Sequence, residues 1–219
     1  MKKIILFFVI SLFFFISCKM EYEIYTNTNE ISEIISNLQP KFIVLDNITV
    51  KTQPNSSTCG ITSITIITNY YNKTNFGVND LIYKYNVNTS KGSTFDDMKR
   101  WLQGEMPEKN IVFKVNETNV EMIRNIHSSL NNNNPVLISF GAPNPYNKPF
   151  YDFHASVVYG INLNSETILI ANAYGYLEEI SLTEFLNRMS VTEIDKYPLI
   201  HQFILINNRR DLNTYYLIN

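Results

Sequence analysis

The sequence predicts an α+β fold, with an N-terminal helical part packed on a mostly antiparallel sheet. Three observations carry this. Apolar residues recur at helical spacing through much of positions 29–130. Three strand-like runs, 135–142, 152–163 and 166–174, then follow with only turn residues and one proline-rich loop between them, as hairpins do. Helices grouped ahead of strands argue for α+β over alternating βαβ units. With 219 residues and no internal repeat, the chain is long enough for one domain with a sizeable core.

The chain opens MKKIILFFVISLFFFISCKM, two lysines ahead of an apolar run from Ile4 to Ile16. The run is too short to span a bilayer comfortably and has the layout of a secretory signal peptide, residues 1–17. Phe15-Ile16-Ser17-Cys18 resembles the lipobox of bacterial lipoproteins, with Phe15 in the place of the usual leucine. That resemblance implies cleavage before Cys18 and lipid, palmitate included, on Cys18. Residues 18–28 then form a polar tether. An exported, extracytoplasmic protein anchored to a bacterial cell membrane or outer membrane is expected. The whole chain has 18 basic and 20 acidic residues, a net charge of −2. Losing Lys2 and Lys3 makes it more acidic still, so nucleic acid is not an expected partner.

The expected domain covers 29–219. In 29–39, Ile31, Ile34 and Ile35 share a helical face that Pro40 closes. Residues 41–50 are rich in β-branched types and suit a strand. The polar loop from Gln53 leads into ITSITIITNYY, a helix whose first turn Ser57 or Thr58 can cap. Residues 78–85 suit a short helix. Residues 92–103 suit a clearer one, with Ser93 as cap, Asp96 three residues on, and Phe95, Met98, Trp101 and Leu102 on one face. Residues 110–117 alternate as a strand, and 119–130 return to helical period before the turn 131–134. The loop 143–151, with three prolines, separates the first two hairpin runs and is placed to reach over a cleft. A helix at 180–189 capped by Ser181, a strand at 201–207 and a polar, aromatic tail complete the chain.

The cysteine count is the most telling feature. Cys18 and Cys59 are the two cysteines of the chain. With lipid on Cys18, Cys59 has no partner for a disulfide and no second thiol for a zinc site. A lone cysteine is ordinarily a small core hydrophobe. Cys59, however, starts a helix, where the dipole is expected to lower its pKa and favour the thiolate. Gln53, six residues upstream, can fold back and offer its amide to an oxyanion. A thiol nucleophile also needs a base. His127 ends a helix near polar residues, where a solvated or dipole-facing role is expected, and His201 opens a strand, where a structural role is. His154 stands at the mouth of a strand. Asn172 ends the next one, about one hairpin away, where it can orient the imidazole. Tyr174 follows and can shield that bond from water.

The order Gln53, Cys59, His154, Asn172, in the wording QPNSSTCGITS, FHASVVYGIN and ILIANAYGYLEEISLTEF, resembles the papain-like cysteine peptidases. Within them it is similar to the compact bacterial group related to double-glycine leader peptidases. The resemblance covers about residues 41–190. It implies a papain-like fold and hydrolysis of peptide bonds in a peptide or protein substrate, with no cofactor and no metal. It implies Cys59 as nucleophile, His154 as proton carrier, Asn172 as orienter of the ring, and Gln53 with the Cys59 N–H as oxyanion hole. The compact group often has Asp at the position of Asn172, and papain has Asn. No transporter segment follows, which favours a free-standing, surface-held enzyme over leader processing coupled to export. The alternatives are a non-catalytic surface lipoprotein of the same fold that binds a host or envelope partner, and a cell-wall peptide amidase.

Overall fold

Apolar residues along the strands alternate between two cores, and that alternation fixes the layering. The computed structural model describes residues 28–143, 151–190 and 201–208. The expected signal peptide, Cys18, the tether up to residue 27, the interior of the proline-rich loop (144–150) and the tail from 209 lie outside the described residues. The elements run α1 (Thr28–Asn37), β1 (Phe42–Val44), α2 (Cys59–Asn72), α3 (Val78–Lys84), α4 (Phe95–Glu105), β2 (Lys109–Lys114), α5 (Asn119–Asn131), β3 (Val136–Pro143), β4 (Tyr151–Asn162), β5 (Thr167–Asn172), β6 (Tyr176–Ser181), α6 (Leu182–Met189) and β7 (Gln202–Asn208).

The strands form one seven-stranded sheet in the order β2-β7-β3-β4-β5-β6, with β1 paired to β4 off that path. Every pairing between these strands is antiparallel. Phe203 and Leu205 of β7 join the core under α1, α5 and α6, while Ile204 and Ile206 join the core under α2, α3 and α4. Val136, Ile138 and Phe140 of β3 face the first core and Leu137 the second, as a period of two requires. The helices therefore cover both faces of the sheet. This is the expected α+β arrangement of helices on an antiparallel sheet, with α1, α5 and α6 burying the face that α2 to α4 leave open.

Helix α2 is built from residues that favour strands, chiefly Ile and Thr. Tertiary burial overrides that propensity: Gly60 to Asn69 are all buried. Three of its hydroxyls bond back inside the helix, Thr62 Oγ1 on the Thr58 carbonyl at 2.8 Å, Ser63 Oγ on Cys59 at 3.0 Å and Thr65 Oγ1 on Ile61 at 2.8 Å, whereas the buried Thr68 Oγ1 has no partner among the described residues. Gly60 lets α4 approach, because a Cβ there would lie 2.8 Å from Ser93 Cβ and 3.1 Å from Met98 Sδ.

Several local expectations shift. The cap of α4 is Thr94, not Ser93, with its oxygen accepting from the Asp97 N–H and Asp97 reaching back to the Thr94 N–H. The strand expected over 41–50 is only Phe42–Val44. Strand β6, not foreseen, pairs with β5 along its whole length. His127 is buried, not solvated: its Nε2 lies 2.8 Å from the Pro40 carbonyl. His201 is buried as well, with Nδ1 on the Glu117 carbonyl.

Burial makes charging His201 unfavourable and holds its pKa below the ordinary value. The unfolded chain therefore takes up the proton first as pH falls. Stability should decline as pH drops through about 6.5, the unfolded histidine value. His201→Gln should flatten that decline between about pH 7 and 5, as read by urea midpoints across the range. In the core, Ile64→Ala at the buried centre of α2 should cost ~2–5 kcal/mol. Tyr83→Ala, at a side chain 90 % exposed, should stay within ~0.5 kcal/mol.

Candidate active site

The register of two neighbouring strands places the polar groups. Ser156 of β4 lies opposite Asn172, the last residue of β5. His154, two residues before Ser156, therefore lies on the same face and diagonal to Asn172, within reach of a ring. Its Nε2 is 2.9 Å from Asn172 Oδ1, in a pair that is 2 % and 0 % exposed. The Tyr174 ring stacks on the imidazole, centroids 4.0 Å apart and planes 12° from parallel. Phe140 flanks the imidazole at 6.1 Å.

The turn carrying Tyr174 depends on Gly175, whose φ of 102° is a conformation other residues avoid. Thr52 forms a bridge with Tyr174, and the Gln53 N–H donates to the Ala173 carbonyl at 2.8 Å. The loop before α2 is thereby tied to the end of β5, and Gln53 is brought beside the Asn172 turn. Gln53 is 5 % exposed. One of its amide N–H groups donates to the Asn55 carbonyl at 2.8 Å, and its Oε1 is buried with no partner among the described residues. The Asn55 carbonyl fixes the amide, because a flip would set oxygen against oxygen. The other amide N–H is left to be used.

Cys59 is the first residue of α2 and is half-buried. The backbone N–H of Ala155, the residue after His154, pulls the pKa of its thiol down. The sequence-expected Gln53, Cys59, His154 and Asn172 are thus brought to one place, where α2 meets the ends of β4 and β5. The cap of α2 differs from expectation. Thr58 occupies the N-cap position without a side-chain bond to the helix. Its hydroxyl instead donates to the Asn55 carbonyl at 3.0 Å, which closes the turn below Gln53.

The expected lowering of the Cys59 pKa is also corrected. Burial pushes the thiol up, and the backbone N–H groups of Ala155, Gly60 and Cys59 pull it back only in part. A helix terminus contributes roughly 0.3–1 kcal/mol, whereas a buried group can shift by several pKa units. Desolvation wins, so the helix alone does not ionise this sulfur.

Three polar residues of the site were missed. Glu178 and Tyr176 of β6 accept from Asn172 Nδ2 at 2.9 and 3.4 Å, and Arg188 of α6 binds Glu178 at 2.8 Å. The alternation in YLEEIS, which sets Tyr176, Glu178 and Ile180 on one face, was the available signal.

The family model described as the Peptidase_C39 like family matches residues 45–193, a stretch containing all four expected residues. No curated protein matches the chain. Among solved structures, the peptidase domain of Streptococcus ComA, a bi-functional ABC transporter involved in a quorum-sensing pathway, superposes with a TM-score of 0.51 at 13 % identity, covering 74 % of this chain and 100 % of that one. A double glycine motif protease from an AMS/PCAT transporter, solved with its leader peptide, gives 0.50 at 12 %, covering 75 % and 94 %. At such identities these likenesses establish the fold, and the family model establishes the kinship. The chain belongs to the Peptidase_C39 like family and is a cysteine peptidase of papain-like fold.

Proposed function

We propose that this protein is an exported, lipid-anchored peptidase that hydrolyses peptide bonds through Cys59, His154 and Asn172, with Gln53 completing an oxyanion hole. The observation that carries this reading is the His154–Asn172 bond, 2.9 Å long and roofed by Tyr174, beside a thiol whose pKa the next backbone N–H pulls down. With Nε2 engaged by Asn172, Nδ1 is the ring nitrogen for the thiol. The proton passes from sulfur to Nδ1, and the thiolate that burial disfavours is stabilised as an ion pair with the imidazolium.

The thiolate attacks the scissile carbonyl carbon, and the carbonyl oxygen takes the negative charge. The spare amide N–H of Gln53 and the backbone N–H of Cys59, unpaired at the first helical turn, face that charge. The imidazolium gives its proton to the leaving amine as the C–N bond breaks, leaving a thioester. Water, deprotonated by His154, then releases the acid and restores the thiol. A peptide substrate agrees with the leader peptide bound by the transporter-derived protease. The lipobox-like run ending at Cys18 supports a membrane anchor.

Cys59→Ala should abolish cleavage of a peptide library, and an epoxide thiol inhibitor should label Cys59 in the native chain. Absence of labelling across neutral pH under reducing conditions would sink the reading. Gln53→Ala should lower kcat by ~100–1,000-fold with Cys59 still labelled. For the anchor, labelled palmitate should enter the wild-type chain in bacteria and not Cys18→Ser. Equal incorporation in both would remove the lipid from the proposal.

A further inference from the structure

The carboxamide of Asn172 is used at every corner. Its oxygen accepts from the Tyr174 backbone N–H at 3.0 Å and lies 2.9 Å from His154 Nε2. Its nitrogen donates to Glu178 Oε2 at 2.9 Å and, more weakly, to the Tyr176 hydroxyl at 3.4 Å. A flipped amide would set donor against donor at Tyr174 and oxygen against the Glu178 carboxylate. Glu178 is itself held: its Oε1 accepts from Arg188 Nη1 at 2.8 Å, and Arg188 Nε donates to Glu184 at 2.8 Å. Side-chain exposure is 8 % for Arg188 and 13 % for Glu178. Burial opposes the Arg188 charge, and the bonds to the two carboxylates more than offset it. The Glu178 carboxylate is thereby held directly behind Asn172.

We infer that Glu178 is a positioning residue: held by Arg188, its carboxylate takes the amide N–H of Asn172, commits the carboxamide oxygen to His154, and sets a negative charge behind the imidazolium. This rests on the reading of Cys59 and His154 as a reacting pair. A neutral carboxamide polarised by a carboxylate thus does what a directly bonded carboxylate would do. The arrangement has a consequence that a purely structural ion pair lacks. An aspartate at 172 is by chemistry a good partner for imidazole, yet here it would confront Glu178 across the 2.9 Å now spanned by the amide N–H. It becomes acceptable only when residue 178 can donate.

The test is the rate of Cys59 alkylation by iodoacetamide from pH 4 to 9 in the full-length protein, followed on the Cys59 peptide by mass spectrometry. Melting temperatures of all variants are recorded alongside. Wild type should react below the pH at which the unfolded chain does, as an ion pair requires. Glu178→Gln should move the rise to higher pH by ~0.5–1 unit and slow the reaction at pH 6 by ~5-fold. Asn172→Asp should slow it by ~10-fold or more, and the double variant should recover to within ~3-fold of wild type. Should Glu178→Gln unfold, Glu178→Asp, which keeps the charge and withdraws it by one methylene, should shift the profile in the same direction. Effects of the two substitutions that simply add, or a profile unmoved by either change at 178, would overturn the role of Glu178 and leave the Cys59–His154 pair standing. A wild-type profile like that of the unfolded chain would overturn both.

Discussion

Everything at this site depends on the pairing of β4 with β5. Setting Ser156 opposite Asn172 places His154 one diagonal step beyond the end of β5, and the hydrogen bond across that step is 2.9 Å. A slip by one residue would turn His154 toward the opposite core. The register is held by what lies on either side of the sheet. Val158, Ile168 and Ile170 are sealed under one set of helices, Val157 and Ala171 under the other. At roughly 1.5–3 kcal/mol for each such side chain, exchanging the two faces is prohibitive. The geometry of the polar pair is therefore enforced by apolar packing.

The same packing works against the sulfur. Helix α2 is sunk into the core, and the desolvation that stabilises its middle raises the pKa of Cys59 at its end. The helix dipole and three backbone N–H groups are too weak to reverse this. In the proposed mechanism the imidazolium of His154 supplies the stabilising charge, which gives the orientation of that ring its importance. The stacked Tyr174 keeps water from the bond that holds the ring, and a hydrogen bond is stronger where the local dielectric is low.

The polar groups behind the imidazole are satisfied almost without remainder. Asn172 uses both lone-pair directions and both N–H bonds, Glu178 uses both oxygens, and Arg188 joins two carboxylates while lying 5.9 Å over the Phe140 ring. A buried network of this kind is worth having only when complete, since each unpaired member would cost about 1–3 kcal/mol. Among the described residues, Gln53 Oε1 is an exception, on the residue whose amide nitrogen keeps a spare donor.

Much of this was legible in the chain alone. Apolar periodicity located α1, α2, α4, α5 and the hairpin runs, because a face that packs leaves its period in the residues. Lone Cys59 ahead of Gly60, with Gln53 six residues before it and His154 and Asn172 one hairpin apart, pointed to thiol chemistry, because those residue types at those separations have few other reasons to coincide. Three things had to wait for the folded molecule. The state of the Cys59 proton follows from the balance between burial and backbone dipoles, and burial is a property of the whole assembly. Coverage of both sheet faces arises because α5 and α6 return to a side that local pattern does not mark. The Asn172–Glu178–Arg188 chain joins a strand end, an edge strand and a helix. Hydrogen bonds between such separated groups follow from their positions in space, and residue order carries no record of those positions.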